Sequence, residues 1–464
     1  MKIKTKRLLK DTVIFTIGNI GSKFIQFFLV PLYTYSLTKS EFGVTEFIFT
    51  VANLVTPLFS FSISDGLIRF GLDRSYEKNV ILTNSVVIIL IGTLLSILCY
   101  PLFSTISILN KYIPLFLIIL NIRIFRDVFS INLKLQDQNK LFAVDSILFT
   151  ASTFIYSILF LKIFNLGIFG FFYSQILANI CSIIFLVIVG NVKASIRINY
   201  IDKNIFWTLI CFSFPMMVNA ISWWVTNAVD RVILTRFVSS SSVGLYAVAT
   251  KIPSFVTTFT GIFNQAWILS AVGGHGDKDE LEFVSQTFRN YCLAMYAFAL
   301  LLINFSESIV SIYVNSEYFE AWRYVPFLLT GTVFSGVAGF LGGVLITHKK
   351  NIFLMWSTVF GAILSVILNI LFVPRLNIMG SVYTNCITWF IVAFLRLIFV
   401  EKCKHLNTSI IKIFFLSLQL VLQSFIVIHY PGYSYMSMLL FVVLAILAYS
   451  SDFVVFIAGI YRKR

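Results

Sequence analysis

A chain of 464 residues that is 58% hydrophobic, 17% aromatic and only 12% charged is not a soluble globular protein, where about a quarter of residues carry charge. The formal net charge of +15 does not indicate nucleic acid either, because Lys and Arg are spread over short connections and no soluble domain gathers them into one basic face. The composition therefore specifies an all-α polytopic membrane protein.

Fourteen apolar runs are long enough to span a bilayer, each needing about 20 residues. They fall at 12–36, 42–62, 79–103, 112–130, 141–161, 166–191, 205–227, 243–270, 286–313, 323–346, 352–374, 379–400, 411–429 and 434–459. Runs four and thirteen are the weakest, since Arg123, Arg126 and Lys412 lie near their ends. Pro31 and Pro57 interrupt the first two runs, and Pro215 and Pro253 interrupt the seventh and eighth. Each proline frees a backbone carbonyl and bends its helix, so recurrence at corresponding places suggests gating.

The basic residues orient the chain. With both termini in the cytoplasm, 24 of the 35 Lys and Arg fall in inner segments, 7 in outer segments and 4 within helices, counting Arg289, Arg396 and Lys412 with the inner loops they border. This positive-inside bias demands an even number of spans, and fourteen satisfies it. The first run lacks a small-residue cleavage site and reads as a retained helix.

Little points to an enzyme. The six cysteines show no metal or redox spacing, and the four histidines are scattered at loops or helix ends. Gly18-Asn19-Ile20-Gly21-Ser22-Lys23 lacks the spacing and the preceding strand of a phosphate loop, and its glycines suit close helix packing. No ATPase signature appears, so transport would draw on an ion gradient, a substrate gradient or a partner.

The two halves repeat one another. Leu166, Ile168, Gly170 and Tyr173 recur as Leu376, Ile378, Gly380 and Tyr383, 210 residues later, and Ser174-Gln175 recurs as Thr384-Asn385. Phe42-Gly43 likewise recurs as Val243-Gly244, 201 residues on. The expected organisation is a six-helix lobe at 1–191, a cytoplasmic connector at 192–204, a parallel six-helix lobe at 205–400 and two extra helices at 401–464. Parallel repeats of this kind place a transport site between two lobes.

Charges deep in the spans are the candidate site. Lys23 lies about 16 Å into the first helix at 1.5 Å per residue, too deep to reach the interface easily. Lys251 sits in the eighth helix just before Pro253. Deep acids are few, namely Asp145, Glu307 and Asp452, and this balance favours an anionic substrate.

Several motifs in order then resemble a family. They are Leu37-Thr38-Lys39-Ser40-Glu41-Phe42-Gly43, Ser64-Asp65-Gly66-Leu67-Ile68-Arg69-Phe70, Asp230-Arg231-Val232-Ile233-Leu234, Val243-Gly244-Leu245-Tyr246, Asn264-Gln265-Ala266-Trp267, and Asn369 before Pro374. Together they resemble the Wzx-type polysaccharide-repeat flippases, of the superfamily that also holds multidrug exporters and the peptidoglycan-precursor flippase. The resemblance implies alternating access in a bacterial plasma membrane. Its substrate would be an oligosaccharide repeat on undecaprenyl pyrophosphate, moved from inner to outer leaflet for O-antigen, capsule or exopolysaccharide.

The resemblance also implies a cleft lined by helices 1, 2, 7 and 8. There Lys23 and Lys251 would bind the pyrophosphate, and Asn19, Gln26, Asn219 and Gln265 the sugar hydroxyls. Asp65, Arg69, Asp230 and Arg231 would form gates at the rims. Membrane lipid, a polysaccharide polymerase and a chain-length regulator are the implied partners. No cofactor is expected, and coupling to H⁺ or Na⁺ stays open. Two alternatives remain: a cation-coupled multidrug exporter of the same fold, and a non-transporting membrane component of polysaccharide assembly.

Overall fold

The computed structural model describes residues 21–22, 25–71, 73, 75–136, 138–190, 192–272, 278–348, 350–403 and 410–448, and among these the chain is helical with no strand. It forms two compact units, Met1–Val232 and Ile233–Arg464.

Unit 1 begins with α1 (25–36), α2 (Lys39–Ser60) and α3 (Ile63–Gly71). Then come α4 (Lys78–Leu98), the short α5 (Tyr100–Ser104) and α6 (Ser107–Asn110), and α7 (Ile113–Leu135). Helix α8 (Asn139–Ser157) runs on into a π-helical turn, Ile158–Ile163, before α9 (Gly167–Val189) and the short α10 (Val192–Ser195). Most of α11 (Lys203–Phe237) completes the unit, so packing places the first element after the connector with the preceding spans.

Unit 2 contains α12 (Ser240–Val272), α13 (Lys278–Asn304), α14 (Ser306–Tyr313), α15 (Val325–Thr347), α16 (Asn351–Leu376), α17 (Ile378–Lys402), α18 (Ile410–His429) and α19 (Ser434–Ala448). Helix α15 is its core: it is buried along most of its length and packs on α12, α13, α17 and α18. Its near-continuous apolar sequence reflects contact on every side.

The protein is an all-α polytopic membrane protein. Where the described residues cover them, the apolar runs coincide with helices or broken helix pairs. Eight described helices are long and apolar enough to cross a membrane, and the pair Val284–Asn304 and Ser306–Tyr313, bent by 63°, makes a ninth. Helix α7 is long enough but carries Arg123, Arg126 and Asp127 at its middle.

Local signals explain the helix starts. Thr38 caps α2: its side chain accepts the Glu41 N–H while the Glu41 carboxylate accepts the Thr38 N–H, a reciprocal box that satisfies two orphan donors. Ser239, 201 residues later, accepts the Ser242 N–H in the same way before α12. The second repeat is equally physical. Gly167 and Asn377, 210 residues apart, have φ of 54° and 52° and turn the chain into α9 and α17. Three residues further, Gly170 and Gly380 let the preceding helix cross: a Cβ would meet the Phe160 carbonyl oxygen at 2.9 Å or the Phe372 carbonyl carbon at 2.6 Å.

Three boundaries differ from the hydropathy reading. Arg123 and Arg126 are not near the end of a span, because α7 continues to Leu135 and places them about 15 and 20 Å from its start. Arg396 does not border an inner loop but is buried inside α17. Asp230 and Arg231 do not follow the seventh helix but lie within it, since α11 runs on to Phe237. In each case the helix continues through the charge, because the backbone stays hydrogen-bonded and the charge finds local partners.

Candidate functional site: intramembrane arginines and their partners

The sequence-derived site residues scatter. Lys23 and Asn19 lie outside the described residues, as do the side chains of Asn219 on α11 and Gln265 on α12. Gln26 is exposed on α1 in unit 1, and Lys251 is half-buried on α12 in unit 2. The Lys251 carbonyl accepts the Ser254 hydroxyl, one residue past Pro253, whose ring removes the N–H that would have reached Ala249.

The rim residues divide by exposure. Asp65 and Arg69 are both exposed on α3, yet Arg69 pairs at 3.6 Å with Asp73 instead. Asp73 in turn accepts the backbone N–H and the hydroxyl of Ser75, and these hold its carboxyl below the usual carboxylate range. Asp230 is buried, and its carboxylate accepts the Arg231 N–H at 2.8 Å.

The main polar centre of unit 1 sits on α7, where the sequence reading did not place it. Arg126 is 13% exposed and pairs at 3.1 Å with Asp145 of α8, which is fully buried. Its Nε also donates to Ser182 of α9 at 2.7 Å, and Ser182 and Ser130 donate to the same carboxylate. The guanidinium lies 3.9 Å from the centre of the Phe149 ring. Three helices therefore converge on one satisfied ion pair, the arrangement a charge needs at bilayer depth.

Arg123 is different. One turn before Arg126, it is half-buried and donates from Nη1 to the Asn53 side-chain oxygen on α2 at 2.6 Å. Asn53 is exposed. Pro57 lies four residues along α2, so the Asn53 carbonyl also lacks its helical N–H partner. An arginine facing hydrocarbon at this depth is costly, and the Asn53 side chain offsets part of that cost.

Unit 2 has its own buried arginine. Arg396 is 6% exposed. It donates to Ser357 and Thr358 of α16 at 2.9 Å each and to the Ala338 carbonyl of α15 at 2.8 Å. The neutral partners tie α15, α16 and α17 together around the charge.

The signal available in the sequence was spacing. Arg123, Arg126, Asp127 and Ser130 recur at three- and four-residue steps, which puts them on adjoining faces of a helix that continues through them.

Two helical units built of long apolar helices, each enclosing an arginine, define a polytopic membrane protein. The chain belongs to the family described as polysaccharide biosynthesis protein, whose profile matches residues 8–268. The MatE family profile matches residues 215–371.

Solved structures share the fold. The lipid II flippase MurJ, in an inward closed conformation, superposes with a TM-score of 0.71 at 15% identity, covering 97% of this chain and 100% of that one. An inward-facing multidrug resistance MATE family transporter of the MOP superfamily gives 0.65 at 13% identity, covering 84% and 94%. A Vibrio cholerae MATE transporter gives 0.55 at 13% identity, covering 86% and 96%. Each of these is a flippase or a transporter. No curated protein matches the chain in sequence.

Proposed function

We propose that the protein is a flippase that moves undecaprenyl-pyrophosphate-linked oligosaccharide repeat units from the inner to the outer leaflet of a bacterial plasma membrane by alternating access. The observation that carries this is Arg123: a guanidinium at mid-membrane depth beside an exposed amide, in a chain of a polysaccharide biosynthesis family. A pyrophosphate-sugar head cannot enter hydrocarbon unaided, since each charge or unpaired hydroxyl costs several kcal/mol there. Cations and amides in a water-accessible cleft replace its hydration, while the lipid tail stays in the bilayer.

Lys23 and Lys251 are assigned to the same anionic head, and Asn19, Gln26, Asn219 and Gln265 to sugar hydroxyls. Asp65, Arg69, Asp230 and Arg231 are assigned to the rims of the cleft. A polymerase and a chain-length regulator would take the product in the outer leaflet.

The MatE match over 215–371 favours one second reading, export of organic cations. Complementation of a deletion strain separates the two. Lys23→Ala is expected to abolish surface polysaccharide without loss of protein, and Lys23→Arg to retain part of it. Normal polysaccharide from a well-expressed Lys23→Ala, Lys251→Ala double variant would exclude the flippase assignment of these lysines.

A further inference from the structure

Unit 1 holds a strained joint. The second apolar run ends in a break, where Phe61 and Ser62, with φ of 51° and 47°, separate α2 from α3. Two consecutive residues with side chains in the left-handed region are unfavourable, because Cβ crowds the following carbonyl, and a helix end of this kind normally uses glycine. Backbone bonds hold the turn: the Phe61 N–H reaches the Leu58 carbonyl at 3.4 Å and the Ser62 N–H the Pro57 carbonyl at 3.1 Å. Strain of this sort persists only where the surroundings impose it, and it collects at switch regions.

A seam with α11 lies beside the joint. At Gly66 of α3 a Cβ would come within 2.7 Å of the Ser213 hydroxyl oxygen and 3.4 Å of Leu209. One turn further on, the Phe70 and Phe212 rings meet edge to face at 5.3 Å. Leu209 and Ser213 are fully buried, yet the Ser213 hydroxyl has no hydrogen-bond partner among the described residues. A buried hydroxyl without a partner is itself unfavourable. Two independent costs therefore fall on the closed seam, and both lapse if α3 leaves α11. Phe61 and Ser62 then return to right-handed values, and Ser213 meets water.

The neighbours decide which half moves. Helix α4 presses on the end of α2, because Gly92 admits the Phe59 backbone where a Cβ would overlap its carbonyl. Helix α3 has 9 residues and is about 13 Å long, and at its far end Gly71 meets the Leu135 side chain, which can turn aside as backbone cannot. Asp65 and Arg69 ride on its exposed face.

We propose that α3 is a flap hinged at Phe61–Ser62. It lies closed against α11 in this structure and swings clear when the two residues relax and join α2 and α3 into one helix. The proposal takes from the flippase reading only that the protein changes conformation, whatever it carries.

The test is the rate at which N-ethylmaleimide alkylates Leu209→Cys in full-length protein in nanodiscs, with the native cysteines replaced by alanine. A thiol there reacts only while the seam is open, so the rate follows the open population when opening is fast. Ser62→Gly removes the penalty at one hinge residue and should slow labelling about five- to thirtyfold, the ratio that corresponds to about 1–2 kcal/mol. Ser213→Ala removes the stranded hydroxyl and should slow it as well. Ser62→Thr adds a branch at Cβ, makes the left-handed conformation harder, and should speed it. If Leu209→Cys does not fold, Ser213→Cys serves as the probe for the two Ser62 variants.

Slower labelling with Ser62→Gly and faster labelling with Ser62→Thr would establish the hinge. Equal rates in all variants, or a change in the same direction from both Ser62 variants, would overturn it. The flippase reading is separate from either outcome, since it depends on transfer of the lipid-linked glycan and not on this rate.

Discussion

Arg126 and Asp145 form an ion pair at 3.1 Å that joins α7 to α8 with the carboxylate fully shielded from solvent. Removing one partner strands the other charge at membrane depth, a loss of about 3–5 kcal/mol for a buried pair. Asp145→Leu and Arg126→Met should each lower the unfolding temperature in detergent sharply. The double variant should recover most of the loss, because no charge is left unpaired. Additive losses in the double variant would show that the pair is not coupled.

Gly92 of α4 sits against the backbone of α2, where a Cβ would overlap the Phe59 carbonyl. Backbone cannot yield as a side chain can, so Gly92→Ala should cost at least the 1–3 kcal/mol typical of overpacking and reduce the monodisperse fraction on size exclusion. Gly261 of α12 has nothing within 4 Å of its would-be Cβ. Gly261→Ala should therefore be neutral, or stabilising by up to about 1 kcal/mol through helix propensity.

The last two helices are tied to unit 2 by Gln423. Its Nε2 donates to Asn304 of α13 and to the Ser434 carbonyl, both at 2.9 Å, and its Oε1 accepts from Ser437 of α19 at 2.8 Å. Interhelical hydrogen bonds in membranes average about 0.6 kcal/mol each, so three on one side chain amount to roughly 2 kcal/mol. Gln423→Leu should loosen α18 and α19 first, read as faster proteolysis in the 430–433 turn than in the wild type. Unchanged cleavage would mean that apolar contact alone holds them.

The distribution of basic residues predicts that both termini lie in the cytoplasm. A reporter active only in the cytoplasm should give signal when fused after Ser195, Lys350 or Arg464 and be silent after Asn315 or Gly432. An inside signal at Asn315 would contradict the fourteen-span orientation.

The repeat was legible in part because one of its markers is a backbone necessity. Of the markers read in the sequence, Gly170 and Gly380 must admit a crossing carbonyl; the structure adds Gly167 and Asn377 at positive φ and Thr38 and Ser239 as caps at the same two spacings. Such requirements restrict the residue types allowed at fixed spacings. The arginines were misplaced for the opposite reason. Hydropathy treats Arg126 and Arg396 as isolated charges, whereas Asp145, Ser182, Ser357 and Thr358 come from other helices and cancel that cost only after folding. No local pattern records a partner on another span. Asn53 was overlooked likewise, because its value lies in meeting Arg123 across 70 residues of sequence.

Translocation itself is best measured in proteoliposomes carrying a fluorescent undecaprenyl-pyrophosphate oligosaccharide, with leaflet location read by an impermeant glycosidase. The protein should transfer the labelled lipid between leaflets well above protein-free vesicles, and the Lys23→Ala, Lys251→Ala variant should not. Transfer at the protein-free rate, in vesicles of the same protein that do accumulate tetraphenylphosphonium, would contradict the flippase and identify an exporter of organic cations.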